Sequence, residues 1–152
     1  MTAKPVLTDE AAFELLINGL IDDSYGTLPE HLPKALSEGL RNRLIGHRDR
    51  QLMVPAGTGR EAQFKQKTAI RGDLISWLDK ESEDRFEQTF FRHIAAFAAY
   101  LNRSCYAGIT GWEFHYALYE PGSFYKRHRD QFQQQHSRKF SIVHYLLENW
   151  QE

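Results

Sequence analysis

Residues 115–150 decide the fold, and they read HYALYEPGSFYKRHRDQFQQQHSRKFSIVHYLLENW. An alternating aromatic run ends at a Pro-Gly turn, a short extended run begins at Phe124 and Tyr125, and a polar loop over 131–137 leads into a third run. That third run, 138–147, is rich in β-branched and aromatic residues. The pattern predicts three strands joined by a turn and a loop.

His128 and Asp130 lie two positions apart in the short middle run. Because side chains two apart share one face of a strand, the imidazole and the carboxylate can bind the same metal ion. Two histidines and one carboxylate that leave three coordination positions open form the facial triad of non-haem Fe(II) oxygenases. In a chain with seven histidines, however, an H-x-D spacing arises by chance about one time in three. The flanking sequence therefore has to support the metal site.

Two groups of motifs accompany this pair. Residues 70–77 read IRGDLISW, and the C-terminal stretch adds Tyr119-x-Pro-Gly, Arg138 before a hydrophobic run to Tyr145-Leu146, and Asn149-Trp150. Together they resemble the 2-oxoglutarate and Fe(II)-dependent dioxygenases, specifically the prolyl hydroxylase branch that contains the hypoxia-sensing hydroxylases and their bacterial relatives. The I-R-G-D-x-I-x-W signature is the more specific match. The resemblance covers about residues 65–150.

The resemblance implies an α+β protein with a double-stranded β-helix, or jelly roll, and N-terminal helices packed on the sheet. It implies Fe(II) bound by His128, Asp130 and a second histidine, with 2-oxoglutarate and dioxygen as cosubstrates. Tyr119 and Tyr145 match positions whose hydroxyl groups line the cosubstrate pocket, although either could instead be a core aromatic residue. The implied reaction hydroxylates a prolyl residue of a protein substrate, releases succinate and CO2, and has ascorbate as a candidate reductant.

In the family, the second iron-binding histidine and the arginine that binds 2-oxoglutarate lie beyond the asparagine-tryptophan pair, whereas this sequence ends at Glu152. We therefore expect a barrel that is incomplete after about three core strands and a poor turnover rate. The alternative is a catalytically inactive fragment that binds a protein partner through its uncovered sheet. His136, in the polar loop, and His144, which alternation places on the face opposite Tyr145, are weak replacements for the missing ligand.

Arg71, Asp73 and Arg138 are predicted to have structural roles near the substrate. Residues 67–70 read as a short strand that runs into Arg71-Gly72-Asp73. We expect Asp73 to pair with Arg138 when the sheet forms, since a half-buried carboxylate needs a partner of opposite charge. A direct contact with substrate is the alternative for Asp73 and Arg138.

The remaining sequence predicts helices within a single domain, 1–152, whose residues 1–64 are mainly helical and whose residues 65–152 combine strands with one long helix. Apolar residues at three- and four-residue spacing predict helices from Thr8 to about residue 22, over 29–46, and over 82–102 with Ser82 as the cap. Residues 48–66 read as a loop. The histidines of these regions are interpreted as surface or partly exposed residues: His31, His47 and His93.

Composition narrows the class of protein. With 19 basic and 20 acidic residues, the charge balance does not favour nucleic acid as a partner. Neither a signal peptide nor an apolar run of about 20 residues is visible, so we expect no membrane association and a cytoplasmic location. The single cysteine, Cys105, has no second cysteine in the sequence to pair with.

Overall fold

A computed structural model describes residues 9–57, 71–128 and 138–147. Within these segments, three helices and three strands follow one another, which makes the described fold α+β. In order they are α1 (Asp9–Asp23), α2 (Lys34–Asp49), β1 (Val54–Pro55), β2 (Leu74–Trp77), α3 (Arg85–Cys105) and β3 (His115–Leu118). No helix in these three segments is both long enough and apolar enough to span a membrane.

The three strands form one antiparallel sheet in the order β1-β2-β3. Ser76 of β2 pairs with Tyr116 of β3, and Leu74 pairs with Leu118. β1 was not expected, because its two residues lie within the predicted loop 48–66. Such a short strand has no hydrophobic alternation to reveal it, and its proline suits an edge position.

The Pro-Gly turn after β3 is present as predicted. The Ser123 amide donates to the Glu120 carbonyl at 2.8 Å, and Gly122 has a φ of 87°. Pro at the second turn position and a left-handed glycine at the third are the requirements of a type II turn. The turn brings the chain back alongside β2, where Gly72 donates its amide to the carbonyl of Phe124 at 3.0 Å.

Beyond this turn the predicted middle strand is reduced to one isolated bridge between Tyr125 and Arg71. Residues 126–128 form no strand, so His128 follows the bridge and does not lie within a ladder. Asp130 falls outside the described residues. The prediction of a ligand-bearing strand is therefore wrong over its described part, because the backbone makes only one bridge with β2.

α3 is the longest of the described helices. Its predicted apolar stripe is confirmed for Phe90, Ile94, Phe97, Ala98 and Leu101, which are buried, while Phe86 is half-buried. The cap is Asp84 and not Ser82, since the Asp84 carboxylate accepts hydrogen bonds from the amides of Phe86 at 2.9 Å and Glu87 at 3.1 Å. Ser82 lies two residues earlier and donates its hydroxyl hydrogen to Glu87 instead. Two oxygens compete for the helix start, and the carboxylate is the stronger acceptor.

The other two helices differ in how well their bounds were predicted. α1 agrees with the sequence pattern within its described residues. α2 begins at Lys34, five residues later than predicted, with Pro33 extended at φ −52° and ψ 139°. Glu30 has a positive φ of 56°, so the chain turns here before the helix starts. The residue before a proline disfavours helical dihedrals, which explains why Leu32 lies outside α2 although it belongs to its apolar stripe.

The part of the chain that the structure describes has two hydrophobic core clusters, and both include residues of α3. The first joins α2, α3 and the sheet through Leu36, Leu40, Phe90, Ile94 and Tyr116, and the second joins α1 to the C-terminal part of α3. β3 is shorter than the predicted 112–119, but its alternation is confirmed, because Tyr116 is buried while residues 113 and 115 are exposed. One face of the sheet therefore packs on the helices.

Residues 138–147 form no strand, contrary to the prediction, yet their alternation is confirmed. Ile142, His144 and Leu146 are half-buried, whereas Val143 and Tyr145 are exposed. Ile142 contacts both core clusters. A period of two reports which side chains are buried and does not establish hydrogen bonds to a neighbouring strand.

Candidate functional site

The candidate site lies on the face of the sheet opposite the helices. Ser76 and Tyr116 point to the helical side, as shown by the contacts of both side chains with His47 of α2. Because side chains alternate, residues 71, 73 and 119 belong to the other face. Several residues singled out from the sequence are thus brought to one surface.

Asp73 and Arg71 form a bidentate ion pair on this face. Nε and Nη2 of Arg71 donate to the two carboxylate oxygens of Asp73 at 2.7 and 2.6 Å. Asp73 is only 1% exposed. Its hydrogen bonds with the guanidinium raise the pKa of Arg71, so the charge of Arg71 is held at any physiological pH.

The predicted pair between Asp73 and Arg138 is wrong. Arg138 donates to the carboxylate of Glu113 at 2.8 Å, and that contact is exposed. Asp73 pairs instead with Arg71, which lies two residues away on the same face of the same segment. A local partner of this kind needs no other segment to dock, which gives Arg71 the advantage over a distant residue.

Tyr125 contacts Arg71 through its ring and its hydroxyl group. The Arg71 guanidinium lies over the Tyr125 ring, 4.1 Å from its centroid, and Nη1 donates to the Tyr125 hydroxyl at 3.4 Å. A guanidinium on an aromatic face is a favourable cation–π geometry. The backbones of the two residues are joined by the isolated bridge. Tyr125 is therefore held by both its backbone and its ring.

His128 stacks on the ring of Tyr125. The two ring centroids are 3.6 Å apart and the planes differ by 13°. Nδ1 of His128 lies 2.9 Å from the carbonyl oxygen of Lys126. A carbonyl can only accept, so Nδ1 carries the hydrogen and Nε2 of the neutral ring carries the lone pair. This is the tautomer that a metal ligand bound through Nε2 requires.

Tyr119 and Tyr145 are near the same group of residues. Burial and the charge of Asp73 raise the pKa of Tyr119, and the ionisable hydroxyl groups of Tyr125 and Tyr145 raise it further. The two candidate cosubstrate residues thus lie within electrostatic reach of each other. Tyr119 is 47% exposed and Tyr145 is 67% exposed, so neither side chain is packed in the core.

His128 fits a metal ligand, but the predicted ligand set is only partly visible. Asp130 and His136 fall outside the described residues. Within 9–57, 71–128 and 138–147, no three histidine, cysteine, aspartate or glutamate side chains are placed to hold one metal ion. His144 packs edge-on against Phe90 of α3, with 5.3 Å between the ring centroids. The structure therefore packs His144 against α3, on the side of its segment opposite the exposed Tyr145.

Comparison with known proteins gives a match at the level of structure. No family model and no curated protein matches the sequence. The crystal structure of a Pseudomonas putida prolyl-4-hydroxylase matches with a TM-score of 0.71 and 25% sequence identity over 78% of this chain. The fold is prolyl hydroxylase-like. This supports the expected resemblance at the level of the fold. The match covers 61% of the Pseudomonas protein, so this chain spans about three fifths of its length.

The sequence pattern missed the role of Tyr125 in this prolyl hydroxylase-like fold. Tyr125 was interpreted only as the start of a strand, and strict alternation would place it and His128 on opposite faces. The chain bends after Tyr125, which lets the two rings stack. The aromatic residue three positions before the histidine was visible, but no local pattern predicts the bend.

A separate histidine cluster was also missed. Nε2 of His31 lies 2.7 Å from Nε2 of His93, and the rings of His31 and His144 are stacked with centroids 6.4 Å apart. Burial lowers the pKa of all three, that of His144 to about 4. The expectation that His31 and His47 are surface residues is wrong, since both are half-buried and hydrogen-bonded through their rings.

Proposed function

We propose that this chain forms part of an Fe(II)- and 2-oxoglutarate-dependent dioxygenase that hydroxylates a prolyl residue of a protein substrate. The similarity to the Pseudomonas putida prolyl-4-hydroxylase carries the proposal. It does not favour the alternative of an inactive protein-binding module. The proposal includes the jelly-roll barrel of which the described sheet would form one part.

His128 and Asp130 would hold the iron. The orientation of His128 supports this role, because its Nδ1 hydrogen bond to a carbonyl leaves the lone pair on Nε2. Bound Fe(II) would activate dioxygen while 2-oxoglutarate is decarboxylated to succinate and CO2, with ascorbate as a reductant that maintains the ferrous state. Tyr119 and Tyr145 would donate hydrogen bonds to 2-oxoglutarate, since both side chains are exposed and the two hydroxyl groups interact electrostatically.

The surface around these groups suits a peptide substrate. Exposed aromatic rings, including Trp77 and Tyr119, supply apolar area on the face of the sheet that carries the charged Arg71–Asp73 pair. Aromatic side chains pack well against the flat apolar face of a proline ring. A prolyl residue in an extended peptide is therefore the substrate class that this surface supports best.

The proposal is tested by anaerobic Fe(II) titration of the purified protein, followed by succinate release with 2-oxoglutarate in air and proline-containing peptides. The hydroxylated peptide is detected as a mass gain of one oxygen atom. We expect His128→Ala to lose metal binding and succinate release, whereas Arg127→Ala, which changes the exposed neighbouring side chain, retains metal binding. Equal metal affinity and equal succinate release in His128→Ala and the unaltered protein would contradict the proposal.

A further inference from the structure

We propose that Arg71, fixed by Asp73, is a positioning residue for His128 and acts through the ring of Tyr125. The inference rests on the proposed function in so far as His128 is an iron ligand. Three consecutive contacts carry it: an ion pair, a guanidinium over an aromatic ring, and two stacked rings. They connect a buried carboxylate to an exposed imidazole.

The first contact, the ion pair between Asp73 and Arg71, fixes the position of the Arg71 guanidinium. The side chain of Asp73 is 0% exposed and that of Arg71 is 10% exposed. Both carboxylate oxygens accept from the guanidinium, so the plane of the guanidinium is set by two parallel hydrogen bonds. The backbone of Asp73 is also held, because its carbonyl accepts from the Ala56 amide beside β1 at 2.9 Å. Arg71 therefore presents a planar surface whose orientation is determined by the sheet.

The second contact, between the Arg71 guanidinium and the Tyr125 ring, orients that ring. With 4.1 Å between the guanidinium carbon and the ring centroid, the ring lies against the cation. The neighbouring backbone is tied to β2 by the hydrogen bond from the Gly72 amide to the carbonyl of Phe124. A ring held on one side by a fixed cation and at its backbone by a bridge has few rotamers left. Tyr125 thus provides a rigid surface next to an exposed segment.

The third contact restrains His128, which is exposed. Stacking on Tyr125 sets the plane of the imidazole, and the hydrogen bond from Nδ1 to the Lys126 carbonyl sets its direction within that plane. Together they aim Nε2 in one direction and select one tautomer. Residues that orient a metal-binding histidine in this way raise metal affinity, typically by about 10- to 100-fold.

The test compares Tyr125→Leu with Tyr125→Phe, and Arg71→Lys with the unaltered protein. Tyr125→Leu removes the stacking surface, whereas Tyr125→Phe keeps the ring and removes only the hydroxyl group. Arg71→Lys keeps a cation beside buried Asp73, so the fold is retained while the planar guanidinium is lost. Thermal unfolding of each variant verifies that the protein is folded.

Two readouts separate this inference from the proposed function. The first is the nuclear magnetic resonance spectrum of the His128 ring in metal-free protein, assigned with His128→Gln, which reports both the tautomer and the ring current from Tyr125. The second is the affinity for Fe(II) under anaerobic conditions. We expect Tyr125→Leu and Arg71→Lys to shift the His128 resonances and to weaken Fe(II) binding about tenfold, while Tyr125→Phe stays close to the unaltered protein.

Unchanged His128 resonances in folded Tyr125→Leu and Arg71→Lys would overturn the positioning role, and so would a Tyr125→Phe variant as impaired as Tyr125→Leu. Unchanged Fe(II) affinity in both variants would overturn it as well, provided that His128→Ala abolishes binding. If the unaltered protein does not bind Fe(II), the proposed function fails, and the metal-free spectrum still decides whether Arg71 and Tyr125 hold the ring.

Discussion

Nε2 of His31 and Nε2 of His93 lie 2.7 Å apart, which joins the segment before α2 to the middle of α3. One nitrogen must donate and the other must accept, so at least one of the two rings is neutral in the folded protein. Nε2 of His144 is buried and has no hydrogen-bond partner among the described residues. The negative charge of Asp9 in α1 raises the pKa of His31 and His93, but by less than burial lowers it.

This cluster predicts that the protein loses stability as the pH falls from about 6.5 towards 4. The unfolded chain binds protons on these histidines near their ordinary pKa of 6.5, whereas the folded protein holds their pKa lower, that of His144 at about 4. Between these values the unfolded state carries more protons, so the free energy of unfolding rises with pH, by at most about 1.4 kcal/mol per pH unit for each histidine.

Urea unfolding measured at several pH values between 5 and 7.5 tests this dependence. His144→Phe removes one titrating group and keeps an aromatic ring against Phe90. We expect a smaller pH slope in this variant than in the unaltered protein. The same slope in both proteins would show that His144 does not contribute.

A buried network around Glu87 predicts the cost of losing one hydroxyl group. Glu87 is 3% exposed and accepts hydrogen bonds from the Tyr116 hydroxyl at 3.0 Å and the Ser82 hydroxyl at 2.5 Å. Arg43 places its Nε 3.4 Å from the same carboxylate. We expect Tyr116→Phe to lower the free energy of unfolding by about 1–2 kcal/mol, because a buried charged acceptor loses one of its donors.

Tyr100→Phe is the matched control, since the Tyr100 hydroxyl donates to the carboxylate of Glu14 between the exposed sides of α3 and α1. Water can replace that donor, so the loss in this variant should be clearly smaller. Chemical denaturation of the two variants gives the comparison. An equal loss of unfolding free energy in both variants would mean that burial of Glu87 does not increase the contribution of its hydrogen bond to stability.

Two glycines of α2 predict opposite responses to alanine. A Cβ at Gly39 would lie 2.2 Å from the Phe86 ring, whereas a Cβ at Gly46 would have no atom within 4 Å. Alanine has the higher helix propensity, so Gly46→Ala should stabilise the protein by about 0.5–1 kcal/mol. Gly39→Ala should destabilise it because the closely packed α2–α3 contact has to open. Thermal unfolding of both variants tests this prediction. A higher melting temperature in both would contradict the close packing of Phe86 against Gly39.

The proposed cosubstrate site predicts the effect of removing the Tyr119 hydroxyl. If this hydroxyl donates to 2-oxoglutarate, Tyr119→Phe should raise the KM for 2-oxoglutarate about tenfold, the effect of losing one hydrogen bond to a charged group. Tyr106→Phe is the control, since Tyr106 is 90% exposed at the C-terminal end of α3. Steady-state succinate release over a range of 2-oxoglutarate concentrations gives the KM of each variant. Equal KM values in the two variants would remove Tyr119 from the site.

Local patterns were sufficient for several features of the fold. The apolar spacing of α3, the Pro-Gly turn after β3 and the alternation in 142–147 follow from the requirements of a helix, a type II turn and a two-residue period. Where two local signals competed, the pattern predicted the wrong residue, as it did for the cap of α3 and the start of α2. Ser82 and Asp84 are both acceptable caps in isolation, and only the observed hydrogen bonds distinguish them.

The sequence by itself determined that α1, α2 and α3 are helices, that a turn follows β3, and which face of β3 and of 142–147 is buried, because these features depend on residues within a few positions of one another. Only the tertiary structure decided that Asp73 pairs with Arg71 and that the Tyr125 ring stacks on His128. It also decided that His31, His93 and His144 meet on α3. Those contacts depend on where the chain bends and which segments dock, and the free energy that selects them comes from packing between distant parts of the chain.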